Sequence, residues 1–135
     1  NMLGETAPPE ITIGKATDDG FVLWKHGDAD RKVSVTGPLI VAAGNAWQWQ
    51  LDTRGTQLDV DTWSEQVLQV IRAVEPRPEL LVLGTGRQLR SITPSSLATL
   101  KELGVSVEHL DTKQASMTFN ILAEEGRDVM AMLLP

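Results

Sequence analysis

The feature that most constrains the fold is a change of hydrophobic period near residue 79. Glu79 to Leu83 is a short, almost continuous apolar run, the pattern of a strand covered on both faces. Gly84-Thr85-Gly86 and a polar loop follow. Thr93-Pro94 then supplies an N-cap and a first-position proline, Leu97, Leu100 and Leu103 form one helical face, and Gly104 ends that helix. Val105 to Leu110 reads as the next strand. Asp111-Thr112 caps a helix whose inward face carries Ala115, Phe119 and Leu122, Gly126 stops it, and Val129 to Leu134 closes the run as a strand. Strand–helix–strand–helix–strand with short links predicts a parallel sheet with right-handed crossovers.

The first half follows a different pattern. Residues 1–10, with Pro8-Pro9 and no periodicity, read as an N-terminal arm, and residues 11–135 as one α/β domain. Phe21 to Trp24, the turn cluster His26 to Asp30 and the alternating Val33-Ser34-Val35 predict a hairpin. Gly37-Pro38 turns the chain into Leu39 to Ala42, and Gly44-Asn45 into a strand whose alternation of Trp47, Trp49 and Leu51 with glutamines predicts burial on one face. Ile11 to Leu51 is thus an antiparallel meander. Thr62 to Glu65 has capping-box spacing, Trp63, Val67, Val70, Ile71 and Val74 follow at helical intervals, and Pro76 and Pro78 stop the helix. With the N-terminal antiparallel meander preceding the β-α-β-α-β unit, the expected fold class is α/β with an extra antiparallel layer.

Composition narrows the function. A net charge of −6 with scattered Lys and Arg argues against nucleic acid, which calls for a basic patch. The chain has 0 Cys, which excludes disulfides, thiolate catalysis and a thiolate zinc site. Its 2 His, His26 and His109, make a poor metal site. No apolar stretch approaches the roughly 18 residues of a membrane span. The chain starts at Asn1 without a signal h-region, so either a targeting segment has been removed or the chain is a trimmed piece.

Two turns could carry chemistry. In open α/β sheets ligands bind beyond the carboxyl ends of the strands, where glycines let backbone amides approach an anion. Gly84-Thr85-Gly86 fits that position, but Leu89 stands where a dinucleotide fingerprint needs its third glycine, and no P-loop Lys is present. The turn is either a conformational necessity or one wall of a pocket that Arg87 and Arg90 could close. Asp111-Thr112 is either a helix cap or the opposite wall, with Thr118 and Asn120 on the following helix. Trp24, Trp47 and Trp49 are core or, if two of them are exposed on one sheet face, a partner surface. No nucleophile–base pair can be assembled, and Glu124, Glu125 and Arg127 read as a solvated helix end.

These passages resemble a known family. Glu75-Pro76-Arg77, Val82 to Gly86, Leu103 to Glu108, Asp111-Thr112, Ala115, Thr118 to Leu122, Glu125-Gly126-Arg127 and Leu133-Leu134-Pro135 are similar to mitochondrial NADH:ubiquinone oxidoreductase (complex I) assembly factor 3, whose wider family has bacterial and archaeal relatives of unknown function. Gly20-Phe21, Thr36-Gly37-Pro38 and the Trp49 strand extend the resemblance into the first half, and Asn1 to Gly4 looks like the segment after the targeting region of mitochondrial members. The resemblance implies a three-layer β+α/β/α fold and a non-enzymatic chaperone or scaffold in the mitochondrial matrix, peripherally associated with the inner membrane. Its implied partners are assembly factor 4 and quinone-module subunits, with no cofactor and no metal. Gly84 to Gly86, Asp111, Thr112, Ala115, Thr118, Asn120 and Glu125 to Arg127 match the family motif. Ser116 stands where relatives often have Cys and Phe119 where many prokaryotic ones have Tyr, which removes any thiol or phenol role. The alternative expectation is a small-molecule or anion-binding domain, a relic enzyme, built on the Gly84–Gly86 and Asp111–Thr112 turns.

Overall fold

A computed structural model of the chain describes residues 10–48, 68–87 and 94–135. The Thr62 to Glu65 capping box, Trp49, Leu51, Trp63, Arg90, Thr93 and most of the N-terminal arm lie outside the described residues.

The alternating half forms β1 (Ile11–Ala16), β2 (Gly20–Lys25) and β3 (Arg31–Thr36), a three-stranded antiparallel sheet in the order β1-β2-β3. Phe21 and Leu23 point to one face with Ile11 and Ile13, and all four are buried. The expected hairpin is present, with Phe21 opposite Val35 and Leu23 opposite Val33.

The meander divides after Thr36. β4 (Leu39–Ala42) and β5 (Asn45–Gln48) leave the first sheet and join a five-stranded sheet in the order β5-β4-β8-β6-β7. Here β6 is Leu80–Thr85, β7 Ser106–Leu110 and β8 Val129–Leu134. β6 pairs in parallel with both β7 and β8, as the connection pattern predicts, whereas β4 runs antiparallel to β8. The reason lies in the side chains. Leu39 to Ala42 is apolar at every position and so belongs in a strand covered on both faces, which a half-solvated three-stranded sheet does not provide.

The helices complete the layers. Helix α1 is described over residues 68–73, α2 is Pro94–Glu102 and α3 is Thr112–Glu124. On one face of the large sheet, Leu39, Val41, Val82, Ala131 and Leu133 pack with Ala115 and Phe119 of α3 and the inner face of the small sheet. On the other face, Ile40, Leu81, Leu83, Met130 and Met132 pack with Ile71, Val74, Leu100 and Val105. Successive residues of β4, β6 and β8 therefore serve different cores. Each fully buried Leu or Ile contributes roughly 1.5–3 kcal/mol. Leu100 is buried on α2 as its spacing predicts, but Leu97 is 42% exposed, because α2 meets the sheet at its C-terminal turn.

Candidate functional site

The expected pocket walls meet at the carboxyl ends of β6 and β8. Gly84 lies inside β6 rather than in a turn, and the glycine there answers to packing: a Cβ would stand 2.9 Å from Thr112 Cα, 3.0 Å from Ala115 Cβ and 2.8 Å from a Leu133 methyl. Of these two glycines, Gly86 takes the left-handed conformation, at φ 83°. Thr112, at the first position of α3, is buried, and its hydroxyl joins three chain segments. It accepts from the Gly86 N–H at 2.7 Å and donates to the Leu134 carbonyl, while the Thr112 N–H donates to the Gly86 carbonyl at 3.0 Å. The Ser116 hydroxyl donates to the Thr112 carbonyl one turn on. The two turn segments named in the sequence adjoin in the fold. What stands between them is this hydrogen-bonded junction.

The remaining candidates divide around it. Asp111 is the N-cap of α3 and accepts from the Gln114 N–H at 2.8 Å, the helix-start role its position predicts. Arg87 turns away from the junction to Asp18 in the β1–β2 turn, in an exposed ion pair. Thr118 is half-buried. Asn120 does something that helix periodicity does not reveal. Its Oδ1 accepts from the Ile13 N–H at 2.9 Å and its Nδ2 donates to the Ile13 carbonyl at 2.8 Å. One side-chain amide thus imitates a neighbouring strand along the outer edge of β1 and fixes α3 to the small sheet. At the helix end, Arg127 reaches Glu79 at 2.7 Å and ties the start of β8 to the start of β6.

Trp24 and Trp47 are each 40% exposed, but they lie on different sheets, so the condition of two tryptophans on one sheet face is not met by this pair. Trp47 also corrects the expected burial of its strand face. It sits opposite Ile40 at the outer strand of the large sheet and lines a groove of about 670 Å³ with Val70, Ala73 and Val74 of the α1 region.

A second cleft, of about 360 Å³, opens at the amino ends of β6 and β8, the opposite end of the sheet from the Gly86–Thr112 junction. Ile11, Val41, Phe119 and Val129 form its floor, and Glu10, Glu75, Arg127 and Asp128 its rim. Ala43 and Gly44 make the two-residue β4–β5 turn, both at positive φ (50° and 76°), as a twisted hairpin requires. Open-sheet reasoning had pointed to the other end.

One hydrogen-bonded chain also escaped the sequence. The Thr12 hydroxyl lies 2.8 Å from His26 Nε2, and His26 Nδ1 lies 3.0 Å from Asp30 Oδ1. The order is that of a nucleophilic triad, but a triad works in a concave site with donors aimed at an oxyanion. These three residues line neither cleft and fasten the β2–β3 turn to β1. His109 on β7 keeps a buried Nε2 with no hydrogen-bond partner among the described residues, and desolvation lowers its pKa.

Comparison with known proteins agrees with this architecture. Residues 13–134 match the family described as protein of unknown function (DUF498/DUF598). The whole chain aligns at 34% identity with NADH dehydrogenase [ubiquinone] 1 alpha subcomplex assembly factor 3 of Mus musculus, covering 66% of that protein. It spans between 48% and 68% of the length of the curated relatives it matches. A crystal structure of a Bordetella parapertussis protein superposes with TM-score 0.71 at 28% identity, covering 96% of this chain and 98% of that one. A solution structure of a Bordetella pertussis protein, described as an Mth938-like domain, gives 0.69 at 25% identity over 100% of this chain and 92% of the other.

Proposed function

We propose, from the premise that this chain belongs to the DUF498/DUF598 family, that it is a non-enzymatic assembly factor for respiratory complex I working through protein–protein contacts. The observation that carries the reading is the alignment of all 135 residues with a vertebrate assembly factor 3 at 34% identity. The junction geometry supports it. The polar groups at the carboxyl ends of β6 and β8 are engaged in holding Gly86, Thr112 and Leu134 together, which is what a scaffold needs and a reaction does not. In this reading the chain acts in the mitochondrial matrix beside the inner membrane, as a chaperone that holds assembly factor 4 and quinone-module subunits during their assembly. Its net charge of −6 disfavours direct contact with anionic lipid, so the partners supply the membrane association.

An anion or small-molecule site at Gly84, Thr85, Gly86, Arg87, Asp111, Thr112, Thr118 and Asn120 is the weaker reading. Thr112 and Asn120 already spend their polar atoms on Gly86, Leu134 and Ile13, and Arg87 pairs with Asp18. A ligand there would stabilise the fold by mass action, giving a thermal shift that Asp111→Ala abolishes.

The deciding experiment is complementation. The chain, fused to a mitochondrial targeting sequence, is expressed in vertebrate cells lacking assembly factor 3, and complex I is followed on native gels. Restored complex I, with quinone-module subunits co-purifying, is expected. Stable, imported protein that neither restores the complex nor binds those subunits would overturn the reading.

A further inference from the structure

Among the described residues, the two turns that suggested a site are joined by internal contacts, whereas the cleft at the other end of the sheet is open. We propose that this cleft receives a segment of a protein partner that inserts an apolar side chain and presents lysine or arginine to the rim. The proposal rests on the assembly-factor reading and deepens it by naming a surface and the chemistry that fits it.

The floor is apolar, built from Ile11, Val41, Phe119 and Val129, and all four belong to the core between α3 and the two sheets. The rim is not balanced. Glu10, Glu75 and Asp128 are exposed on it, and among the described residues no cation pairs with any of them. The cation on the rim, Arg127, is already engaged by Glu79. Glu10 extends over the β4–β5 turn, where its carboxylate occupies the space a Cβ on Gly44 would need.

Charge and shape together select the occupant. An acidic segment would meet uncompensated carboxylates. A purely apolar one would desolvate those carboxylates without pairing them, which is costly. An apolar anchor flanked by basic residues satisfies both floor and rim. At about 360 Å³ the space is near the lower end of the roughly 300–1,000 Å³ range of ligand sites, so it accepts a few side chains rather than a whole domain face. The Ala43-Gly44 hairpin turn forms part of the cleft's lining beside Glu10.

The test titrates the isotope-labelled full chain with two short synthetic peptides, Lys-Leu-Leu-Lys and its counterpart with Glu replacing Lys, while following the amide signals of Ala43, Gly44, Gly126 and Val129. The lysine peptide should shift these signals and the glutamate peptide should not. Combining Glu75→Lys with Asp128→Lys should weaken binding by about tenfold or more. The control pair Glu102→Lys and Glu108→Lys, with the same charge change away from the cleft, should leave it unchanged. The proposal falls if both peptides act alike, if the cleft variant binds like the unaltered chain, or if the signals stay still. It also falls if they move with protein concentration alone, which assigns the cleft to a second copy, or on deletion of residues 1–9, which assigns it to this chain's own arm. Capture of quinone-module subunits separates the two readings. Capture by the unaltered chain and the cleft variant equally overturns the cleft and leaves the assembly role standing. No capture by the unaltered chain removes that role, and the peptide titration still decides the cleft.

Discussion

Asn120 holds two parts of the molecule that are far apart in sequence, and its removal has a calculable effect. Asn120→Ala deletes both hydrogen bonds to Ile13, of 2.9 and 2.8 Å. Each contributes about 0.5–1.5 kcal/mol net, so the pair accounts for about 2 kcal/mol. Ile13 is only 3% exposed, so the N–H and carbonyl left behind are poorly hydrated. Leaving such groups unpaired raises the loss toward about 3 kcal/mol. With a urea m-value of roughly 1–3 kcal/mol/M, the unfolding midpoint should fall by about 1 M. Hydrogen exchange at the Ile13 amide should accelerate more than exchange in β6, because the contact joins the small sheet to α3 and its loss favours local opening. Asn120→Asp is the informative companion. It keeps an acceptor for the Ile13 N–H but sets a carboxylate oxygen against the Ile13 carbonyl. Protonation of the introduced carboxyl restores a donor, so its folded-state pKa is raised and this variant should recover stability relative to the unaltered chain as pH falls. A loss below about 0.5 kcal/mol for Asn120→Ala, with Ile13 exchange unchanged, would refute the argument that this amide fastens the layers.

Gly84→Ala should cost about 1–3 kcal/mol in thermal or chemical unfolding, because the new methyl meets the Thr112 backbone at 2.9 Å as well as movable side chains; an unchanged melting temperature would show that α3 yields freely. Ala43→Gly should stabilise by up to about 1 kcal/mol in urea unfolding, since relief of roughly 1–2 kcal/mol of left-handed strain exceeds the added backbone entropy of roughly 0.5–1 kcal/mol. Burial lowers the His109 pKa below 6.5, so the unfolded chain binds more protons between the folded-state value and 6.5. The part of the stability due to keeping His109 neutral is therefore complete above that window and declines as pH falls through it. His109→Gln should flatten urea midpoints measured across roughly pH 5 to 8, and an unaltered slope would remove His109 as the cause.

Much of the local structure was legible because its causes are local. The Asp111 cap, the Thr112 to Glu124 helix, the closing apolar strand and the β2–β3 hairpin follow from turn chemistry and period. The same local signals could not say what Gly84 was for. Its neighbours Leu133 and Ala115 lie on other elements, so the requirement for glycine there is invisible until β8 and α3 are placed. Asn120 looked like an indifferent helix residue for the same reason. The partner that explains it, Ile13, is 107 positions away.

Period and turn residues by themselves determined which stretches are strands and helices, that β6, β7 and β8 run parallel, and that the second half carries the family motif. Hydrophobic spacing and capping act within a few residues of themselves, so a linear reading captures them. Only the tertiary structure decided that β4 leaves the meander to pair with β8, that Thr112 ties together the carboxyl ends of β6 and β8, and that a cleft lies at their amino ends. Those outcomes depend on which distant surfaces exclude water from one another. That competition is settled by the whole chain at once and leaves no short-range mark.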